Sequence, residues 1–421
     1  MEESSRIRVV VVDHTAFGRA ALPPLIEVDP SLEVASLARD VEEGKRAILE
    51  QDPDVVVLAL HSELESGLGL LEWVVSQSLR PVIGLLPVDP DPDTQLQVLE
   101  AGAAYIIPWS LNHTPARLMA FQSLLASKLK AFGVARVPIP DLTALEPDYP
   151  SVSFETELAD DSIQEISSER LVPDITNLED TEELLEEALE PLELEAARGR
   201  VPRSPLQRLG TGGLVYPKRE TGARDPDRRA EVAVLGGGAG SPALFRRIVS
   251  QLPEELNLAI LGVLRLPGEL LPHYAERLQQ VSRLPVSVAQ EGDPVRPGHI
   301  LLAPPQRNMG MVRTGRIPKA LIRLMPPGTG ISATPSMDVS LRASATIYGT
   351  GSVGIVLGGL SKDGASGLLA VRNNNGLTHM IDYKYAVAYN TNRLCFESGL
   401  IDEVSSPEGV VELLKRLGQR Y

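Results

Sequence analysis

The sequence predicts an α/β chain of two doubly wound parallel-sheet domains joined by a long acidic linker, and three observations carry that prediction. Short apolar runs rich in β-branched residues alternate with helix-patterned stretches across residues 7–133, the βαβα rhythm of a parallel sheet. The same alternation resumes after Glu231. Between the two, from Asp141 to Glu195, acidic residues crowd a Pro-broken segment in which Arg170 is the only base. The domains are therefore expected at 1–133 and 231–421, with the linker at 134–230. A chain of 421 residues is in any case too long for one ordinary core.

In the first domain, strands are expected at Ile7–Val12, Leu32–Ser36, Val55–Leu60, Pro81–Leu86 and Ala104–Ile107. Each is a short apolar run of the kind a sheet buries on both faces. Helices are expected between and after them, at Ala16–Ile26, Val41–Glu50, Gly67–Gln77, Asp93–Ala101 and Pro115–Phe132. Within the linker, Leu184, Leu185, Leu189 and Leu192 share one side at helical spacing, enough for one acidic amphipathic helix. The remainder is low in aromatics and reads as disordered tether. From Arg198 to Arg229 the sign of the charge flips, so the acidic half can alternatively dock on a basic partner or on its own basic half. Beyond Glu231, strands are expected at Val232–Leu235, Leu258–Leu264, Val286–Ala289, Ile300–Ala303, Val353–Leu357 and Leu377–Ile381, with helices between them.

Composition narrows the function classes. The net charge of −16 argues against a nucleic-acid binder, which needs a basic face. The single cysteine, Cys395, allows no disulfide framework within the chain and suits a reducing compartment. Met1 to Ser5 is acidic, unlike a signal peptide, and no run of about 18 apolar residues offers a membrane span. A cytoplasmic location without membrane insertion is expected.

The second domain is organised around residues 353–368. Val353 to Leu357 is a buried-strand run, Gly358 and Gly359 form a turn, and Asp363 follows just past the strand's carboxyl end, where open α/β sheets place their ligands. The plainest role for Asp363 is a helix cap at Gly364. Gly236-Gly237-Gly238-Ala239-Gly240-Ser241 also follows a strand and opens a helix, which resembles a degenerate dinucleotide turn. However, no acidic residue closes the next strand near Leu264 to meet a ribose.

Gly358-Gly359-Leu360-Ser361-Lys362-Asp363-Gly364-Ala365 resembles the aspartate loop of the chemotaxis protein-glutamate methylesterases, the CheB family. Residues 291–304, Pro335 to Val339 and Ala275 to Leu278 resemble further blocks of that family, in the right order. The resemblance implies hydrolysis of glutamyl methyl esters on receptors, releasing methanol, by a serine, a histidine and an aspartate. It places the aspartate at Asp363, the serine at Gly238 with Ala239 for the following threonine, and the histidine at Leu264 or Arg265. Leu360 stands where the family has a methionine. Ser241 is expected to face along its helix, and His273 has no sequence argument bringing it near Asp363.

Residues 7–133 similarly resemble a response-regulator receiver. Such a domain needs an acidic pair, a phosphoacceptor aspartate, a Ser/Thr and a lysine around Mg²⁺. Here Asp13 is the only acidic-pocket residue kept; its neighbour is His14. The acceptor position is Ala59, the Ser/Thr position falls at or beside Leu86, and the lysine position is Ile107. The expectation is a pseudo-receiver holding no metal, with a shifted acceptor such as Ser62 as the alternative. For the whole chain it is a pseudoenzyme without cofactor, partnered with chemoreceptor cytoplasmic helices or other chemotaxis-type signalling proteins. The alternative is an active methylesterase with displaced residues.

Overall fold

The computed structural model describes residues 6–60, 64–78, 80–109, 114–134, 229–315, 317–327 and 334–419. The linker, with its candidate helix and basic run, lies outside the described residues, as does Ser62.

The first lobe alternates strand and helix: β1 (Ile7–Val12), α1 (Ala16–Ile26), β2 (Leu32–Ala38), α2 (Val41–Gln51), β3 (Val55–Ala59), α3 (Leu64–Trp73), β4 (Val82–Leu86), α4 (Pro92–Glu100), β5 (Tyr105–Pro108) and α5 (Pro115–Val134). Its five strands lie in the order β2-β1-β3-β4-β5, every pair parallel. The valine-rich runs explain the sheet: Val9 to Val11 and Val55 to Val57 are fully buried, which suits β-branched side chains on a pleated surface covered on both faces. Thr15, Asp40 and Asp91 each accept a backbone N–H in the first turn of the helix they open, so three of the boundaries are set by capping chemistry.

The receiver-like positions are aliphatic and buried. Ala59 is 9% exposed at the end of β3, and Leu86 and Ile107 are within the core. Asp13 is fully buried, and its Oδ1 accepts from the Thr15 amide at 2.8 Å and the Thr15 hydroxyl at 2.7 Å. The carboxylate is thus held at the start of α1, and a methyl group on Gly18 would come within 1.8 Å of its Oδ2.

The second lobe contains β6 (Val232–Gly237), α6 (Ser241–Val249), β7 (Ala259–Leu264), α7 (Leu270–Val281), β8 (Val286–Val288), β9 (Ile300–Leu302), β10 (Asn308–Arg313), β11 (Ala320–Met325), α8 (Met337–Tyr348), β12 (Ser352–Gly358), α9 (Ala365–Asn373), β13 (Leu377–Ile381), α10 (Asn390–Glu397), β14 (Glu403–Ser405) and α11 (Pro407–Leu417). Seven parallel strands run in the order β14-β13-β12-β6-β7-β9-β8. The winding reverses at β6, which lies between β7 and β12. That crevice is the topological switch point where such sheets bind ligands.

Two elements depart from the expected strand–helix alternation. β10 and β11 form an antiparallel hairpin of their own, Asn308 opposite Met325 through Arg313 opposite Ala320. Asn-Met-Gly-Met carries no β-branched residue, so strand propensity was weak there and tertiary burial decided the outcome. β14 pairs with β13 through only three residues and adds an edge strand that its charged, short sequence did not signal.

The two lobes meet along α4. Leu96 is buried in the same cluster as Leu244, Phe245 and Tyr274 of the second lobe. Beside it the Glu100 carboxylate, 6% exposed, accepts from Arg277 at 2.5 Å and lies 3.5 Å from Arg246. Among the described residues no helix is long and apolar enough to cross a membrane.

Candidate functional site

The site forms where β6, β7 and β12 end. Its opening, about 230 Å³ and partly solvent, is lined by the Gly237-Gly238 turn, Val263, Arg265, Pro335, Met337, Gly358, Ser361, Asp363 and Thr391.

The glycine turn is shaped by close approach. A methyl group on Gly236 would lie 2.7 Å from Met337 Sδ, and one on Gly237 would lie 2.6 Å from the Gly358 carbonyl. Gly240 has φ 76°, the left-handed region that a side chain disfavours, and α6 starts immediately after it. Gly238 is different. A methyl group there meets only Gly359 Cα, at an ordinary 3.4 Å. The absence of a side chain at Gly238, the position the resemblance gives to the serine, is therefore no steric requirement of the turn.

Asp363 is the hub. Its Oδ1 accepts from Ser336 Oγ at 2.8 Å and the Asp338 amide at 3.0 Å; its Oδ2 accepts from the Met337 amide at 2.8 Å and Arg265 Nη2 at 3.2 Å. The side chain is 8% exposed, and four donors offset its desolvation. This corrects the capping expectation. Asp363 does not cap the helix that follows it but the N-terminus of α8, while Asp338, from α8, accepts from the Gly364 and Gly367 amides at 3.0 and 2.5 Å and caps α9. The two aspartates thus exchange helices. Burial pushes the Asp338 carboxyl up, and the Asp363 charge adds to that.

The two candidate histidine positions separate cleanly. Leu264 is buried in the main core of the lobe. Arg265 lies on the opening, one-third exposed, with Nη2 shared between Asp363 and Ser361 Oγ at 3.0 Å. The residue that reaches Asp363 is thus a guanidinium.

Substitute groups are poorly placed. Ser241 is not among the residues lining the opening. It is fully buried, and a methyl on Gly237 would fall 2.1 Å from its Oγ. His273 is an exposed residue of α7. Cys395 is buried, and burial pushes its thiol up to about 12, leaving negligible thiolate near neutrality. Among the described residues no group of three His, Cys, Asp or Glu side chains is arranged to hold a metal.

Residues 233–414 match the family model described as CheB methylesterase. The chain is 27% identical over 414 residues to protein-glutamate methylesterase/protein-glutamine glutaminase 3 of Geobacter sulfurreducens, covering 98% of each. It is 26% identical over 411 residues to the protein-glutamate methylesterase/protein-glutamine glutaminase of Symbiobacterium thermophilum, covering 97% of this chain and 96% of that one. The crystal structure of the Thermotoga maritima CheB methylesterase catalytic domain aligns with 45% of this chain and 98% of that domain, at 26% identity and a TM-score of 0.43. Residues 233–414 thus form a CheB methylesterase domain by the family model, and the chain is similar over nearly its whole length to protein-glutamate methylesterases.

Proposed function

We propose that this chain is a non-hydrolytic member of its family, a cytoplasmic component that engages chemoreceptor helices without cleaving their glutamyl esters. The observation that carries the reading is the guanidinium of Arg265 on Asp363, in a pocket whose serine position is Gly238. Acyl transfer at an ester needs an activated nucleophile and a base oriented by a third group. Asp363, the counterpart of the orienting aspartate, here faces a side chain that cannot take a proton at neutral pH. Displaced residues would have to supply both missing parts. Ser241 Oγ is the nearest hydroxyl to the turn, but no described histidine lies among the residues lining the opening. Incubation with methylated receptor should release no methanol above background, with a competent relative as positive control, while a receptor cytoplasmic fragment should bind saturably. Methanol release by the purified chain at a rate comparable to the control would refute the reading.

The first lobe fits the same interpretation. Ala59 offers a methyl group where a receiver presents its acceptor, and Asp13 is tied into the α1 cap. One carboxylate so engaged makes a poor Mg²⁺ site. Treatment with a small phosphodonor and Mg²⁺ should leave residues 7–133 unmodified by intact mass. An acyl phosphate mapped to that span would show that a shifted acceptor works.

A further inference from the structure

We infer that Ser405, outside the opening described above, is an activated serine that takes the acyl group of a small activated ester, with His379 as its base and Glu403 orienting that base. None of the three lines the opening, so the inference stands apart from the function proposed above.

The edge of the sheet brings the three together. β13 and β14 pair in parallel, with His379 opposite Glu403 and Ile381 opposite Ser405. Side chains two residues apart on a strand share a face, so Glu403 and Ser405 both reach His379. His379 Nε2 lies 2.9 Å from Ser405 Oγ, and its Nδ1 lies 3.8 Å from Glu403 Oε2, within ion-pair distance. The imidazole is 2% exposed and is held between these neighbours, whereas Ser405 is partly exposed. The carboxylate beside Nδ1 draws the ring proton to that nitrogen. Nε2 then carries the lone pair and accepts from the serine hydroxyl. The Ser406 carbonyl competes for the same proton at a longer 3.1 Å. Glu403 is anchored in turn, its Oε1 lying 3.9 Å from Arg416. Hydroxyl, imidazole and carboxylate in this order are what activates a serine.

The turn that carries Ser405 supports the assignment independently. Ser405 ends β14 and α11 starts at Pro407, the strand–serine–helix order in which an α/β sheet presents a nucleophile. Ser406 caps α11 by accepting from the Gly409 amide at 3.1 Å, which pins the turn. A methyl group on Gly409 would lie 2.5 Å from Ser405 Cβ, so the first turn of the helix is seated on the serine as only glycine allows. α11 runs for 11 residues, and the positive end of its dipole lies beside Ser405, where an oxyanion would develop. The same close seat restricts the acyl group to a small one.

In the step, Ser405 Oγ bonds to the acyl carbon while its proton passes to His379 Nε2. The C–O bond of the ester breaks, and the departing alcohol takes that proton. Acyl-Ser405 and the free alcohol are left, with the imidazole neutral again.

The test treats the full chain with p-nitrophenyl acetate and, separately, with a small fluorophosphonate, which labels activated serines and spares amines. Intact mass should show one adduct from the fluorophosphonate, and peptide mapping should place it, and an acetyl group from the ester, on Ser405. The adduct should be absent from Ser405→Ala and from the wild-type chain unfolded in urea. Labelling should slow by at least about 10²-fold in His379→Gln, the contribution of a general base. Glu403→Gln, which leaves the buried imidazole in place, should slow it as well. Because the adduct is mapped in the unaltered native chain, the result does not depend on any variant folding. A native chain that stays unlabelled at Ser405, or that is labelled only at Ser361 on the opening, overturns the inference. So does labelling of Ser405 at the same rate in the native chain and in urea, which would make it an ordinary serine.

Discussion

Replacing Asp363 by alanine should destabilise the second lobe by about 2–4 kcal/mol. The substitution strips the acceptor from the Met337 and Asp338 amides and from Ser336 Oγ. Loss of a helix cap costs about 0.5–2 kcal/mol, and each buried donor left unsatisfied about 1–3. The penalties overlap, since water can enter from the opening. Arg265 adds little, because it is one-third exposed and rehydrates. Chemical denaturation followed through the second lobe should show the loss as a lower midpoint, and thermal melting as a drop of several degrees. Arg265→Ala serves as the control. It removes one of four bonds and should cost under about 1 kcal/mol. Asp363→Asn should fall between, since its amide keeps one acceptor but turns N–H groups toward donors. A change below about 0.5 kcal/mol for Asp363→Ala would mean that α8 finds its cap elsewhere. The contrast matters for function: that outcome would make Asp363 a structural residue of this chain.

The legible part of the fold was the part governed by periodicity and burial. The valine runs of β1 and β3 and the Val353–Leu357 run of β12 announce strands buried on both faces, and they are. The capping residues of α1, α2 and α4 mark starts that sequence alone could find. The β10–β11 hairpin was hidden because Met and Gly have little strand preference and its partner strand lies several residues away across a turn. At the site, the resemblance narrowed the counterpart of the family's histidine to Leu264 or Arg265, and no local pattern could choose between them. Only the strand's end, with Leu264 packed into the core and Arg265 on the opening, separates the two. The exchange of caps between Asp338 and Asp363 was illegible for a related reason. It joins residues 25 positions apart, and capping rules read only the adjacent helix. The burial of Ser241 Oγ against Gly237 and Gly358 was likewise beyond sequence, since it depends on how closely β6 approaches β12.

The second large effect expected is a gain of hydrolysis in the pair Gly238→Ser with Arg265→His, and in no variant that keeps Arg265. The turn can accept the serine, because a Cβ at Gly238 meets only Gly359 Cα at 3.4 Å. Position 265 is the one that looks onto Asp363, so an imidazole there has an orienting carboxylate with its remaining donors in place. A nucleophile and its base act as a unit, so either substitution alone should leave the chain at background. The pair should rise on the order of 10²-fold above wild type in methanol release, well short of the roughly 10⁶-fold that a complete triad contributes. Ala239 and Leu360 remain where the resemblance implies a threonine and a methionine, so the rest of the site stays unrestored. The informative comparison is Gly238→Ser with Leu264→His. Leu264 sits in the apolar core, where an imidazole without a partner costs about 1–3 kcal/mol and cannot reach the opening. That variant also keeps the guanidinium on Asp363, so it should be both less stable and inactive. If it hydrolyses the ester while Gly238→Ser with Arg265→His does not, then Leu264 occupies the histidine position and the Arg265–Asp363 pair is no barrier to catalysis.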